Sequence, residues 1–348
     1  MLADHGHRVR LWAYEPEVAA EIESAHANTR YLPGFALPDE ITASPDLEEV
    51  ASGKEFVVLA TPSLHILRVA RRLVTVDEIS EGRTAMGVIT KGFIRTDGGV
   101  RLIVETLEDY LPGFYKGNVV YISGPSHAEE VTQGKLTGLI SACRNPKNAV
   151  RFRALLNRQP LMVFSSLDVV GVQVAAAMKN VIAIGFGVMD ALTHVAGAHF
   201  GDNTESLLLA AGLNEIQRLA VALGATHPET FTSIAGVGDL DVTCRSHYGR
   251  NRRFGREIVE DNILQRFASI DDLIDRIAEV GYLPEGVIAA RGARDLIDKH
   301  DLRLPITNAV YQILNGDAQP LEALGAILRG LTGASFNTMP NEDEEEES

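Results

Sequence analysis

The sequence is poor in cysteine. Its two, Cys143 and Cys244, lie about a hundred residues apart without paired spacing or a metal-ligand partner, which argues against a disulfide framework and a zinc site. A reducing, cytoplasmic setting is the expectation. The chain also lacks positive charge: 32 Lys and Arg against 47 Asp and Glu leave a net charge of −15, the wrong sign for a general nucleic-acid binder. Six of those negative charges sit in the terminal "NEDEEEES". Residues 336–348 therefore read as an acidic, disordered tail. No apolar central region follows the start, since "MLADHGHRVR" is polar, and a signal peptide is not expected. Internal repeats are absent, as is low complexity outside the tail.

What is present is a 348-residue chain, 45% hydrophobic, long enough for two domains. In the first half, short β-type runs alternate with helical stretches. "HRVRLWAY", "FVVLATPS", "AMGVITKGF", "NVVYISGP" and "LTGLISAC" read as strands. "PEVAAEIESAHAN", "LHILRVARRLV" and segments near 100–110 and 146–157 read as helices. That alternation predicts α/β, a doubly wound sheet with helices on its faces. From about Asp168 the strand signals stop and helices dominate, including 204–223, 270–280, 285–299 and 318–330. The division is therefore a dinucleotide-binding domain at 1–165 and an all-α substrate domain at 166–335.

A Rossmann-type domain opens with strand, G-x-G-x-x-G and helix, whose amides and positive end hold a pyrophosphate. That glycine loop is missing, and the expected sheet is an incomplete one. "MLADHG" reads as the last turn and a half of the first helix, with Gly6 as its C-terminal cap. Cofactor binding by the chain as written is accordingly expected to be weak. Glu15 ends the strand "RVRLWAYEP", where such folds read the cofactor ribose. With no arginine or lysine from 11 to 16, it predicts a preference for NADH over NADPH.

"AAAMKNVIAIG", residues 175–185, sets Lys179 and Asn180 in an otherwise apolar run from Val169 to Met189. The run is long enough to cross a bilayer. A central lysine and two amides argue against insertion, and the segment reads as the central helix of a soluble domain. Val172, Ala175, Ala176, Ile182 and Ala183 share the face of Lys179. These small neighbours leave room beside the amine, which points to a site, against the alternative of a lysine that snorkels to solvent.

"GVGDLDVTCRSHYGRNRRFG", residues 236–255, begins the chain's densest basic stretch, with five arginines between 245 and 256. Arg252, Arg253 and Arg256 read as a solvated face. Arg250 and Asn251 follow a glycine in a turn, where an arginine fork and an amide can grip a phosphate. "GPSHAEE", at 124–130, puts a glycine and a hydroxyl at a strand end, on the rim where open α/β sheets bind ligands. His127 there reads as an interdomain polar contact.

"ITKGF", "ISGPSHAEE", "AAMKNVIAIG", "GVGDLDVTC", "GRNRRFG", "PEG" and "LPITNAVYQIL" together resemble the NAD(P)-dependent glycerol-3-phosphate dehydrogenases, in order and approximate spacing, from about residue 6 to 330. The resemblance implies hydride transfer between NAD, or NADP, and C2 of sn-glycerol 3-phosphate, with dihydroxyacetone phosphate as the ketone. It implies that Lys179 is the proton acceptor, with Asp239 against it and Lys91 near the reacting oxygen and the cofactor. Gly124 and Ser126 fall at the substrate rim, and Asn180, Thr243, Arg250 and Asn251 on the substrate phosphate. Tyr14, Ala128, Arg250, Leu283 and Glu285 join Glu15 and Lys91 on the cofactor. A homodimer without nucleic-acid or membrane partners is implied too. The family's usual basic residue after Asn-Thr is Glu205 here, and its usual Thr-Arg is Ala210-Ala211, departures expected to bear on the dimer contact, regulation or substrate range.

Overall fold

The computed structural model describes residues 2–195, 197 and 200–332. The tail expected at 336–348 lies outside them. By compactness the chain forms two units, one running to Thr90 and resuming at Val104–Leu167, the other made of Lys91–Ile103 and the chain from Asp168.

In the first unit, Ala3–His5 make one 3-10 turn closed by Gly6 at φ +82°, the cap expected of it. Strands β1 (Val9–Trp12), β2 (Ala27–Asn28), β3 (Leu32–Ala36), β4 (Ile41–Ser44), β5 (Phe56–Leu59) and β6 (Ala85–Val88) are followed, after the excursion of β7 (Phe93–Thr96) and β8 (Gly99–Leu102) into the second unit, by β9 (Val120–Ser123), β10 (Thr137–Ala142) and β11 (Leu161–Ser166). Helices α1 (Pro16–Ala25), α2 (Leu47–Ala51), α3 (Ile66–Leu73), α4 (Asp77–Ser80), α5 (Ile103–Tyr110), α6 (Ala128–Thr132) and α7 (Pro146–Leu156) run between the strands. Local chemistry sets their starts: Asp46 accepts from Glu49 N at 3.0 Å, and Asn145 accepts from Lys147 N at 3.0 Å with Pro146 opening α7. Both are N-caps that satisfy an orphan amide.

The main sheet has the order β11-β10-β9-β6-β5 and is parallel except for the β9–β10 pair. β1 and β4 pair in parallel with each other, apart from that sheet. Under the main sheet, Val120, Ile122, Cys143, Ala149 and Phe152 form a buried cluster. With it, the unit is a Rossmann-like α/β domain.

The second unit differs from expectation in its extent: residues 91–103 belong to it and not to the first domain. The reason is packing. Hairpin β7–β8 puts Phe93, Val100 and Leu102 into the core around α8 (Val169–Val195). Gly292 has no side chain to keep Phe93 and Val100 away, and an added Cβ there would lie 3.3 Å from both.

Around α8 pack α9 (Asp202–Ala222), α10 (Glu229–Thr232), α11 (Asp239–Arg245), α12 (Arg250–Glu260), α14 (Glu285–His300), α15 (Pro305–Asn315) and α16 (Pro320–Thr332), with α13 (Ile270–Asp275) against α14 and α15. Every residue of α8 from Gly171 to Met189 is buried. Among the described residues α8 alone is long and apolar enough to cross a membrane, and 94% of its most apolar window is covered by protein. It is a core helix. The helix expected at 270–280 is broken at Arg276 into α13 and a 3-10 turn, Ile277–Val280.

Two buried carboxylates tie helix starts to neighbours. Asp168 accepts from Gly171 N at the head of α8 and from the Thr230 hydroxyl. Glu215 of α9 accepts from Ile306 N, Thr307 N and the Thr307 hydroxyl, capping α15. Both fill donors that a helix end leaves unpaired.

Candidate active site

α12 and α14 approach α8 more closely than side chains normally allow. A Cβ on Gly187 would lie 2.0 Å from Arg252 O, one on Gly255 2.2 Å from Ile184 O, and one on Gly286 2.5 Å from Asn180 O. Here backbone meets backbone. The crossing brings the start of α12, with Arg250 and Asn251, alongside Lys179 and Asn180. Gly255→Ala should therefore force the helices apart, at a cost of about 1 to 3 kcal/mol, the range for overpacking. A denaturant midpoint equal to that of the unsubstituted protein would contradict the close crossing.

Asp239 reaches α8 by a different device. A π-helical turn, Ile234–Gly238, leads into α11, so that Asp239 is its first residue. Gly236 in that turn lies against the Phe231 backbone, where a Cβ would be 2.3 Å from Phe231 O. Such widened turns re-aim the residues that follow them.

Lys179, only 6% exposed, donates to Asp239 Oδ1 and, at 2.8 Å, to Thr243 Oγ1. Lys91 Nζ donates to the other carboxylate oxygen, Asp239 Oδ2, at 2.7 Å. Thr243 spends its own hydrogen on Asp239 O at 2.6 Å, leaving its lone pairs for the lysine. Two ammonium groups therefore share one buried carboxylate. Burial lowers the pKa of Lys179; Asp239 pulls it back and Lys91 pushes it down again, for a net value well below an ordinary lysine. For Asp239, burial alone would raise the carboxyl, but Lys179 and Lys91 outweigh it and hold it below the usual carboxylate value. Like charges and desolvation combine to favour a neutral amine at Lys179. An amine that can be neutral inside a charged cluster can accept and return a proton near neutral pH.

A second chain of bonds fixes the neighbouring amide. Asn251 Nδ2 donates to Asn180 Oδ1 at 3.0 Å, and Gly286 N donates to Asn251 Oδ1 at 2.8 Å. The Asn180 oxygen is thereby committed. Its Nδ2 makes a long 3.5 Å contact to Ala176 O, so among the described residues most of its donor capacity is unspent. Arg250, exposed at the first residue of α12, makes no hydrogen bond or ion pair among the described residues. Leu283 and Glu285 lie in the turn that starts α14.

The second unit thus gathers Lys91, Lys179, Asp239 and Thr243 at one point, and Asn180 and Asn251 at the next. Thr243, which the resemblance gives to the phosphate, has its hydroxyl committed between Lys179 and Asp239 O. Apart from Arg250, Leu283 and Glu285, the remaining expected residues belong to the first unit. Gly124 follows β9 at φ +133°, and a Cβ there would meet Gly138 O at 2.7 Å, so the rim position admits only glycine. Ser126 Oγ donates to Gly124 O at 3.0 Å, and Ala128 opens α6. Tyr14 is exposed, edge-on to Trp12.

Glu15 is the N-cap residue of α1, three residues beyond the end of β1, and its carboxylate accepts from the Tyr31 hydroxyl at 2.6 Å. An acidic side chain at a strand end beside a helix start fits the hydroxyls of a cofactor ribose. The structure corrects the expectation of an uncompensated charge. Arg30 Nη1 lies 3.6 Å from Glu15 and 3.5 Å from Glu17. This cation is fifteen residues away in sequence and no local pattern announced it. Glu205 lies 3.7 Å from Arg245 at the end of α11, and Ala211 is buried in the core of the unit.

Comparisons with known proteins identify the family of the chain. The family model described as NAD-dependent glycerol-3-phosphate dehydrogenase N-terminus matches residues 1–149, and that described as the C-terminus matches 168–325. A "Glycerol-3-phosphate dehydrogenase [NAD(P)+]" of Treponema denticola is 52% identical over 337 residues, 95% of this chain and 94% of that protein. One of Chlorobium luteolum is 36% identical, covering 92% and 90%. The crystal structure of glycerol-3-phosphate dehydrogenase from Coxiella burnetii superposes with a TM-score of 0.81 at 31% identity, covering 94% of this chain and 93% of that one.

Proposed function

The chain belongs to the NAD-dependent glycerol-3-phosphate dehydrogenase family, and we propose that in it Lys179 moves the proton at the C2 oxygen while Asp239, Lys91 and Thr243 hold that lysine in place and set its charge. The enzyme is an NAD(P)-dependent oxidoreductase that interconverts sn-glycerol 3-phosphate and dihydroxyacetone phosphate. The nicotinamide, when bound, supplies or takes up the hydride at C2. The rest is the work of this chain's own residues.

In the oxidative direction neutral Lys179 takes the C2 hydroxyl proton, and in the reductive direction its ammonium returns one to the oxygen. Lys91 places a second positive charge near that oxygen as negative charge develops on it. Arg250 grips the substrate phosphate, helped by the unspent Asn180 amide that Asn251 orients. Gly124 and Ser126 form the rim on the first unit, which acts as the dinucleotide-binding domain. Glu15 takes the ribose hydroxyls, and Tyr14, Ala128, Leu283 and Glu285 complete the cofactor contacts. The setting is cytoplasmic and the assembly a homodimer. The observation that supports the reading most is the pair of lysines sharing the buried Asp239 carboxylate, since a core that needed only stability would not set a buried lysine and a second, partly exposed one on a single anion. Its direct test is consumption of NADH or NADPH by the purified chain on addition of dihydroxyacetone phosphate; no consumption with either would refute it.

Arg30 bears on cofactor choice. Beside Glu15 it offsets the repulsion that would exclude a 2′-phosphate, so both cofactors are usable. Arg30→Ala should weaken NADPH binding roughly tenfold, the loss of one charged contact, and leave NADH binding nearly unchanged. Titration of both cofactors decides it, and equal losses would remove Arg30 from discrimination.

A further inference from the structure

Tyr282 lies in the turn between the 3-10 helix Ile277–Val280 and α14. Its hydroxyl donates to Glu257 Oε2 on α12. Arg253 Nε donates to Glu257 Oε1 at 2.7 Å, and the Arg253 guanidinium lies over the Tyr282 ring, 4.5 Å from its centroid. Each of the three side chains therefore touches the other two. The Glu257 side chain is only 16% exposed, and the Tyr282 hydroxyl is held strongly in its protonated form by burial and by that carboxylate. Four residues later, Gly286 N donates to Asn251 Oδ1. The turn is fastened to α12 at two points, and Leu283, Pro284 and Glu285 lie between them.

An Arg–Glu pair one helical turn apart is complete without a tyrosine, and a half-buried phenol could take its hydrogen bond from water. Here the hydroxyl goes to the carboxylate, across 25 residues of sequence, beside the residues assigned to the cofactor. We propose that Tyr282 and Glu257 are positioning residues: they latch the 282–286 turn to α12 and so present Leu283 and Glu285 to the cofactor. The inference rests on the reading of Leu283 and Glu285 as cofactor contacts. It joins the phosphate end of α12 and the cofactor turn in one unit, so that loosening the turn changes cofactor affinity without touching Arg250 or Lys179.

The test uses Tyr282→Phe, which keeps the ring under Arg253 and removes the hydroxyl, with Glu257→Ala as the partner deletion and Glu257→Gln as the variant that keeps an acceptor. Hydrogen exchange of the ligand-free protein should quicken at 282–286 in the first two. Their dissociation constants for NADH, read by fluorescence titration, should rise roughly tenfold, the loss of one hydrogen bond to a charged group. The KM for dihydroxyacetone phosphate and the kcat at saturating NADH should stay within about twofold, and Glu257→Gln should restore most of the affinity. Tighter or unchanged NADH binding in Tyr282→Phe, with Leu283→Ala weakened, would overturn the latch alone. Unchanged binding in both would place the failure in the cofactor reading of the turn and take the latch with it. A fall in kcat that parallels the loss of NADH affinity would show a general disturbance and also overturn it.

Discussion

Lys179→Met is expected to lower kcat by roughly 10² to 10⁴, the range for loss of a general acid-base group, with KM for dihydroxyacetone phosphate changed little. The methionine keeps the length of the side chain and can lie along the same path among Val172, Ala175, Ala176 and Ile182. What it cannot do is carry a proton. The local consequences are contained, because Asp239 keeps Lys91 as its counter-charge at 2.7 Å and is not left buried alone, the case that destabilises severely. Thr243 keeps its bond to Asp239 O and loses one donor. A variant that retained half the original kcat would remove Lys179 from the chemistry, and one that failed to bind substrate would mean that the amine acts in binding.

Arg250→Ala should raise KM for dihydroxyacetone phosphate by roughly 10- to 100-fold while leaving that for unphosphorylated dihydroxyacetone nearly unchanged. The estimate is the loss of charge-assisted bonds to a dianion, each worth about 1.5 to 3 kcal/mol. Arg250 is exposed and unpaired among the described residues, so its removal breaks no packing and leaves no buried partner unsatisfied. Lysine at this position would keep the charge and lose the fork, and should recover only part of the affinity. Equal losses on the two ketones would assign Arg250 to the cofactor or to folding.

Much of the second unit was legible because its signals are local. An apolar run with two polar interruptions reads directly as α8, and a lysine whose helical neighbours are alanine and valine reads as a group with space beside it. Arg250 and Asn251 stood out by following a glycine. The membership of Lys91 and Asp239 in the same cluster came from the family resemblance, because they lie on segments 148 residues apart and no periodicity connects them. The same limit explains the misplacement of 91–103. "AMGVITKGF" reads as one strand, whereas β6 ends at Val88 and Phe93 starts a hairpin whose apolar side belongs to α8 and α14. Strand β4, with four residues, and the edge strand β11, with alternate residues exposed, carried too little hydrophobic pattern to be named. Arg30 beside Glu15 and Tyr282 on Glu257 are tertiary contacts of the same kind, set by how turns return to a helix.

The claim at the centre is that burial and Lys91 keep Lys179 able to be neutral, so that it is the proton acceptor. It is tested most directly by the pH dependence of kcat for sn-glycerol 3-phosphate oxidation, measured beside that of Lys179→Met. A lysine of lowered pKa is protonated and inactive as a base below its folded value and becomes neutral as pH rises through it. Oxidation should therefore increase with pH through that lowered value, with a slope of about one proton on a logarithmic scale, and level off well below the ordinary lysine range. Reduction, which needs the ammonium, should decline over the same interval. Lys179→Met should lose this ionisation from the profile of its residual activity. Persistence of the same ionisation in Lys179→Met would assign the proton to another group and contradict the account.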